Sequence, residues 1–217
     1  MGPKGDTGML KAIFTALVIL SAAASQSSAQ TASVSVTVTD SSYNAVADVS
    51  VRVISQECSW NCRTDRDGKF SLLSLPPSEP FSMSVNRGDG TDPLEVKGLM
   101  APAAGHDLPV SIEYGIIHKG DRYAVRLPSN PSTGYSWEIL ADSAYSPLKY
   151  EERTFETEET RPGSKLRAGA GGTEKLIFKA IGLGRSNVLL GYRRSWEKGI
   201  SPVRYHICTV MSRIKHK

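Results

Sequence analysis

The chain has 217 residues, 22% of them charged, with a formal net charge of +4. At roughly 100–200 residues per domain, this length allows one or two domains. The charge is uneven: residues 31–114 hold 6 Lys/Arg against 11 Asp/Glu, and residues 115–217 hold 18 against 10. An acidic half followed by a basic half indicates two units with different surfaces. The export signal described next argues against nucleic acid as the partner of the basic half.

The first element is an export signal. Lys11 precedes an apolar run, Ala12 to Ala24, of 13 residues, and small or polar residues follow it. A positive flank, a short apolar core and a small-residue exit make a secretory signal peptide. The run falls short of the roughly 20 residues that span a bilayer. The signal is placed at residues 1–29, with cleavage after Ala29 and Ala24 as the other candidate. Met9 is a possible start, since Met1–Gly8 adds only two collagen-like triplets. No later apolar run is long enough to span and no cysteine closely follows the core, so no membrane anchor is expected. The mature chain is expected to be a monomer, periplasmic or secreted. Such a compartment permits disulfides. Cys58 and Cys62, in ECSWNC, are the candidate pair, and Cys208, in the apolar RYHICTV, is expected to be a buried inert thiol.

Beyond residue 30 no long stretch keeps a 3.6-residue period. Apolar residues alternate instead: Val34, Val36 and Val38; Val49, Val51 and Val53; Tyr123, Val125 and Leu127; Val203, Tyr205 and Ile207. Period two with β-branched residues predicts half-buried strands. Gly, Pro, Asn and Asp punctuate them about every ten residues, the spacing of β-sandwiches. The chain is predicted to be all-β, two sandwiches in tandem, with the boundary near Tyr114: residues 30–114, then 115–217.

In the first unit, Asp67-Gly68 predicts a hairpin turn, followed by a strand from Lys69 to Leu73 that Leu75-Pro76-Pro77 ends. This TDRDGKFSLLSLPP stretch resembles the carboxypeptidase regulatory-like and related prealbumin-like sandwich modules, which implies a non-catalytic spacer or binding unit. A calcium loop starting at Asp65 lacks the later carboxylates such a loop needs, so no metal is expected. No cofactor is expected either.

The second unit carries three unusual loops: NPSTGYSW at 130–137, RAGAGGTEKLIF at 167–178 and GYRRSWEKG at 191–199. Asn130-Pro131 sets an extended approach, and Gly134 permits a sharp turn. Ser132 and Thr133 are left at the tip. Gly169, Gly171 and Gly172 precede a strand rather than a helix, which excludes a phosphate-cradling loop. Trp137 is expected in the core. Two intervening strands bring the chain back to the same end before each loop. In an immunoglobulin-like sandwich, that end gathers the B–C, D–E and F–G connections. A small polar tip flanked by a glycine arm and a Trp/Arg arm is a wedge, which complements a cleft.

Three motifs in order carry a resemblance. Asn130-Pro131-Ser132-Thr133-Gly134-Tyr135, then Gly169-Ala170-Gly171-Gly172, then Arg194-Ser195-Trp196 resemble the N-P-T-T-G-[YF], G-x-G-G and R-P-W loops of the chagasin family of cysteine-protease inhibitors. The resemblance covers about 100 residues. It implies that the first loop enters the active-site cleft of a papain-like cysteine protease, that the other two grip the walls, and that inhibition is reversible and non-covalent. Ser132 keeps the hydroxyl of the family's threonine. Ser195 stands where the family has proline, which loosens that loop.

Catalysis finds little support. The four histidines, His106, His118, His206 and His216, sit in no nucleophile or metal motif. CSWNC around Cys62 is not the local signature of a papain-like nucleophile. The other reading is a secreted two-sandwich surface or adhesion protein whose loops bind a polysaccharide or a protein.

Overall fold

The computed structural model describes residues 31–142, 146–157 and 171–215. The export segment, Gly169, Ala170 and His216 lie outside them. Among the described residues thirteen strands follow in chain order: β1 (Ala32–Asp40), β2 (Ser50–Ile54), β3 (Ser59–Arg63), β4 (Lys69–Leu75), β5 (Pro80–Asn86), β6 (Leu94–Met100), β7 (Asp107–His118), β8 (Arg122–Ser129), β9 (Ser136–Asp142), β10 (Leu148–Thr157), β11 (Gly172–Ala180), β12 (Gly184–Arg193) and β13 (Arg204–Arg213). No α-helix occurs among the described residues. The second unit has an immunoglobulin-like fold, and a β-sandwich precedes it.

The two sandwiches share a sheet. Its order is β4-β1-β7-β13-β12-β9, while β3-β2-β5-β6 and β10-β11-β8 form the two smaller sheets. The small sheets cover opposite faces of the long one, as the alternation of its side chains shows. Leu108, Val110, Ile112, Leu189, Tyr205 and Ile207 join the cluster of Val51, Met83, Val85 and Leu94. Ile117, Val188, Leu190, Cys208 and Val210 join that of Val125, Leu127, Leu176 and Phe178. Successive residues of a strand point to opposite faces, so Ile207 and Cys208 serve different cores.

β7 makes this possible. Its 12 residues run unbroken through Tyr114 and Gly115, the position read from sequence as the boundary. It pairs in parallel with β1, from Ser33 opposite Asp107 to Asp40 opposite Tyr114. It also pairs in parallel with β13, from Tyr205 opposite Val110 to Arg213 opposite His118. Parallel strands covered on both faces lose the polar half of their alternation. β13 accordingly buries Tyr205 through Val210 without a break. The half-buried strand expected there is corrected on this point. Cys208 is fully buried, and burial pushes its thiol well up from its ordinary value.

Two local expectations also change. The Asp67-Gly68 turn is not a hairpin, because it passes the chain from β3 in one sheet to β4 in another. Asp65 Oδ1 accepts the N–H groups of Asp67 and Lys69, both at 2.9 Å. Gly68 takes φ +69°, and a Cβ there would stand 2.4 Å from the Val38 carbonyl. Close backbone approach, not strand reversal, explains the glycine. Secondly, Cys58 and Cys62 are not joined, and all three cysteines are free thiols. Cys58 closes the tight Ser55–Cys58 turn, its N–H 3.2 Å from Ser55 Oγ, and Cys62 lies along β3. Four residues of extended chain separate Cα atoms by roughly 13 Å, about twice what a disulfide spans.

Candidate functional site

The loop after β8 is a built turn. Pro131 starts a 3-10 turn, Pro131–Thr133, and Gly134 ends it in the left-handed region at φ 80°. Pro pre-sets the first torsion and glycine takes the last without a Cβ clash. The Thr133 and Gly134 N–H groups donate to the carbonyls of Asn130 and Pro131 at 3.1 and 2.9 Å. Both tip hydroxyls turn back into the loop. Thr133 Oγ1 donates to the Asn130 carbonyl and Ser132 Oγ to Asn130 Oδ1, each at 2.6 Å. The tip is exposed, yet it is held by its own hydrogen bonds.

The loop after β12 packs against it. Arg194 Nε donates to the Thr133 carbonyl at 3.2 Å, and the guanidinium lies over the Tyr135 ring, 4.7 Å from its centre. Glu197 Oε1 holds the other side of Arg194 at 2.8 Å. Trp196 lies on Gly134: a Cβ at that glycine would stand 2.0 Å from the indole. Most of the Trp196 side chain nevertheless faces solvent, at 64% exposure. The sequence expected the wall-gripping arm to stand beside the tip. In the fold the two are packed together.

The glycine loop enters and leaves at the same end. Gly172 pairs with Thr157 on one side and with Ser129, the residue before Asn130, on the other. Gly171 is described and exposed. The described ends of this connection, Thr157 and Gly172, therefore lie beside the β8 end that carries the first loop.

Beneath this edge lies a buried layer of which only Trp137 was read from the sequence. Tyr192 stacks on Tyr135 at 5.3 Å and meets Trp137 tilted at 5.1 Å, and its hydroxyl accepts the Asn130 N–H at 2.8 Å. Trp137, 3% exposed, donates Nε1–H to the Pro128 carbonyl at 3.1 Å. Glu174 is equally buried. Its Oε2 accepts the Ser129 hydroxyl at 3.0 Å and the Trp137 N–H at 3.3 Å, and its Oε1 faces Arg153 Nε at 3.0 Å. Arg153 also donates to the Trp137 carbonyl. A signal for Glu174 existed, since it shares the inward phase of Leu176, Phe178 and Ala180 along β11. A charge on an inward phase needs a partner.

Residues 116–210 match the model of the chagasin family peptidase inhibitors, I42. Amoebiasin-2 of Entamoeba histolytica is 31% identical over 108 residues, 47% of this chain and 80% of that protein. The chain belongs to the chagasin family. Chagasin of Trypanosoma cruzi is 38% identical over 77 residues, 36% of this chain and 68% of that protein. The crystal structure of a cysteine protease inhibitor from Entamoeba histolytica aligns at 26% identity and a TM-score of 0.39, over 49% of this chain and 97% of that one. A chagasin-family domain is an inhibitor rather than an enzyme, and in this chain β1 to β6 precede it.

One constellation where β7 meets β13 mimics a hydrolase. Ser111 Oγ lies 2.8 Å from His206 Nδ1, and His206 Nε2 lies 3.6 Å from Glu113 Oε2. His206 is 4% exposed and Glu113 is 2% exposed, so the group sits in packed interior, with the His206 ring edge-on to Trp137 at 6.4 Å. Burial lowers the His206 pKa to about 4 and raises that of Glu113, whose carboxylate accepts the Tyr123 hydroxyl. An imidazole that stays neutral and enclosed serves the seam between the sandwiches.

Proposed function

We propose that the chain is a reversible, non-covalent inhibitor of papain-family cysteine proteases, and that the three gathered loops occlude the active-site cleft. The observation that carries this reading is the packing of Arg194 and Trp196 onto Thr133, Gly134 and Tyr135. It makes two loops distant in sequence into one rigid edge with an exposed indole. An edge ordered before contact avoids much of the entropy that binding otherwise costs. Thr133 and Gly134 supply the thin leading part. Asn130, Pro131 and Ser132 form the turn behind it, and Tyr135 anchors its base. Trp196 is the large rigid contact typical of interface hot spots. Arg194 and Ser195 hold it in place, and residues 169–172 form the other arm. In this reading the thiolate nucleophile belongs to the protease and the edge forms no bond with it, so inhibition proceeds by exclusion of substrate. Export to the periplasm or the medium fits the N-terminal apolar segment.

The test is a titration of papain and a cathepsin with the mature chain. Competitive, fully reversible inhibition at submicromolar concentration supports the reading. Absence of inhibition across a panel of such proteases, with the chain shown to be folded, removes it.

A further inference from the structure

The four-stranded sheet covers only part of its face of the long sheet. Past its end, the β5–β6 turn and the Asp40–Ser41 turn overhang a cavity of about 330 Å3. The floor consists of two cross-strand rows. Tyr114 stands opposite Thr209, and Ile116 opposite Met211, which in turn faces Arg185.

Three polar groups in this cavity are buried without a partner. Thr209 is 5% exposed, and its hydroxyl makes no hydrogen bond. The Tyr114 hydroxyl and Arg185 Nε make none either. Buried polar groups are almost always paired, with protein or with water, so three around one cavity mark it as a polar site. The two rim carboxylates do not neutralise the site. Asp40 accepts the Ser42 and Asn44 N–H groups and Asn44 Nδ2 at 2.8, 2.9 and 3.0 Å. Asp89 accepts from Thr91 at 3.1 and 2.6 Å and faces Arg87 at 3.5 Å. Both are committed to shaping the walls. Arg87 lies over the Tyr114 ring at 4.6 Å. Arg185 uses Nη1 on the Asp92 carbonyl, 2.6 Å away.

We propose that this cavity binds a hydroxylated carboxylate of monosaccharide size, the chemistry of a uronic acid, either free or at the end of a polysaccharide. Arg185, with Arg213 on the same wall, takes the carboxylate, since guanidinium matches its geometry. The Tyr114 and Thr209 hydroxyls exchange hydrogen bonds with ring hydroxyls. Ile116 and Met211 receive the apolar face of the ring. Ligand pockets run from about 300 to 1,000 Å3, and the small end of that range selects one sugar rather than several. The cavity lies eight residues along β12 from Arg193, roughly 25 Å at strand rise, so it is separate from the loop edge. Both sandwiches build it.

The experiment follows backbone amide shifts of the mature chain during titration with galacturonate and glucuronate. Glucose, acetate and phosphate are controls, and an oligogalacturonide is the polymer arm. Saturable shifts at residues 114–116, 185 and 209–211 with the uronates are expected. Thr209→Val and Arg185→Gln should each weaken binding by about tenfold, the effect of losing one hydrogen bond to a charged or buried group. Papain inhibition should not change in either variant. Tighter binding of the oligogalacturonide supports a polymer end, and equal binding supports the free sugar. Equal binding of glucose overturns the guanidinium role, and equal binding of acetate or phosphate overturns the hydroxyl role. Saturation by no probe, or variants that bind like the parent, overturns the site.

Discussion

The loop edge and the seam between the sandwiches are built from similar residues and behave oppositely. Each joins a hydroxyl-bearing side chain, an aromatic ring and a charged group across distant strands. At the edge both tip hydroxyls close locally, within Asn130–Gly134, and the large aromatic Trp196 faces solvent. At the seam Ser111, Glu113, Tyr123 and His206 are tied across β7, β8 and β13, and the last three are buried. The edge can therefore change without loosening the fold, whereas the seam cannot. Polar residues alone do not mark a functional site. Whether their order depends on the core decides it.

The sharpest break of this contrast is a fragment of residues 115–217. It begins inside β7 and uncovers one face of β12 and β13. Leu189 and Ile207 lose a cover worth roughly 1.5–3 kcal/mol each. Urea unfolding should show a loss of about 3–6 kcal/mol against the full chain, or insolubility. A fragment as stable as the full chain would show that the seam adds nothing.

The next effect is on pH. The folded pKa of His206 is about 4 against an ordinary 6.5, so between these values the unfolded chain binds the extra proton. Stability should fall as pH drops from 6.5 to 4, by at most about 3 kcal/mol, with a slope approaching 1.4 kcal/mol per unit. Glu113 acts in the opposite sense. Its raised pKa favours the folded state below its ordinary 4.5, and that contribution is lost as pH rises. The net fall should therefore be shallower than His206 alone would give. In His206→Gln the limb should vanish from chemical denaturation curves, and its persistence would assign it elsewhere.

At the edge the expected effect is on binding. Trp196→Ala should weaken protease inhibition by about 2 kcal/mol or more, while the urea midpoint stays within the ~0.5 kcal/mol scatter of surface changes. A drop in stability with unchanged inhibition would reverse the roles given to edge and seam. The smallest effect belongs to Cys58→Ser. With free thiols in the fold, the melting temperature should move by no more than a surface change allows, about 0.5 kcal/mol in stability. A large loss under oxidising conditions would restore the disulfide.

Much of this was legible in the sequence. Val34, Val36 and Val38 announce a strand because a two-residue period reports on one covered face, and they are buried as expected. Trp137 and Cys208 also lie in the core. The Asn130–Gly134 turn could be read because Pro and Gly restrict or free torsions whatever their surroundings. The burial of Glu174 was open to reading from its phase along β11, but neither its role nor that of Tyr192 was, since a buried charge or ring acquires its meaning from partners in other strands.

The sequence by itself determined the all-β class, the turn at the tip and the order of the three loops, because torsional preference and periodicity act within a few residues. Only the tertiary structure decided that β1, β7 and β13 run parallel through one shared sheet. Only it laid Trp196 on Gly134 and put the unpaired Thr209 hydroxyl beside Tyr114 and Arg185 in one cavity. Strand partners are chosen by burying apolar faces between segments far apart in the chain, and no local pattern encodes which segments meet.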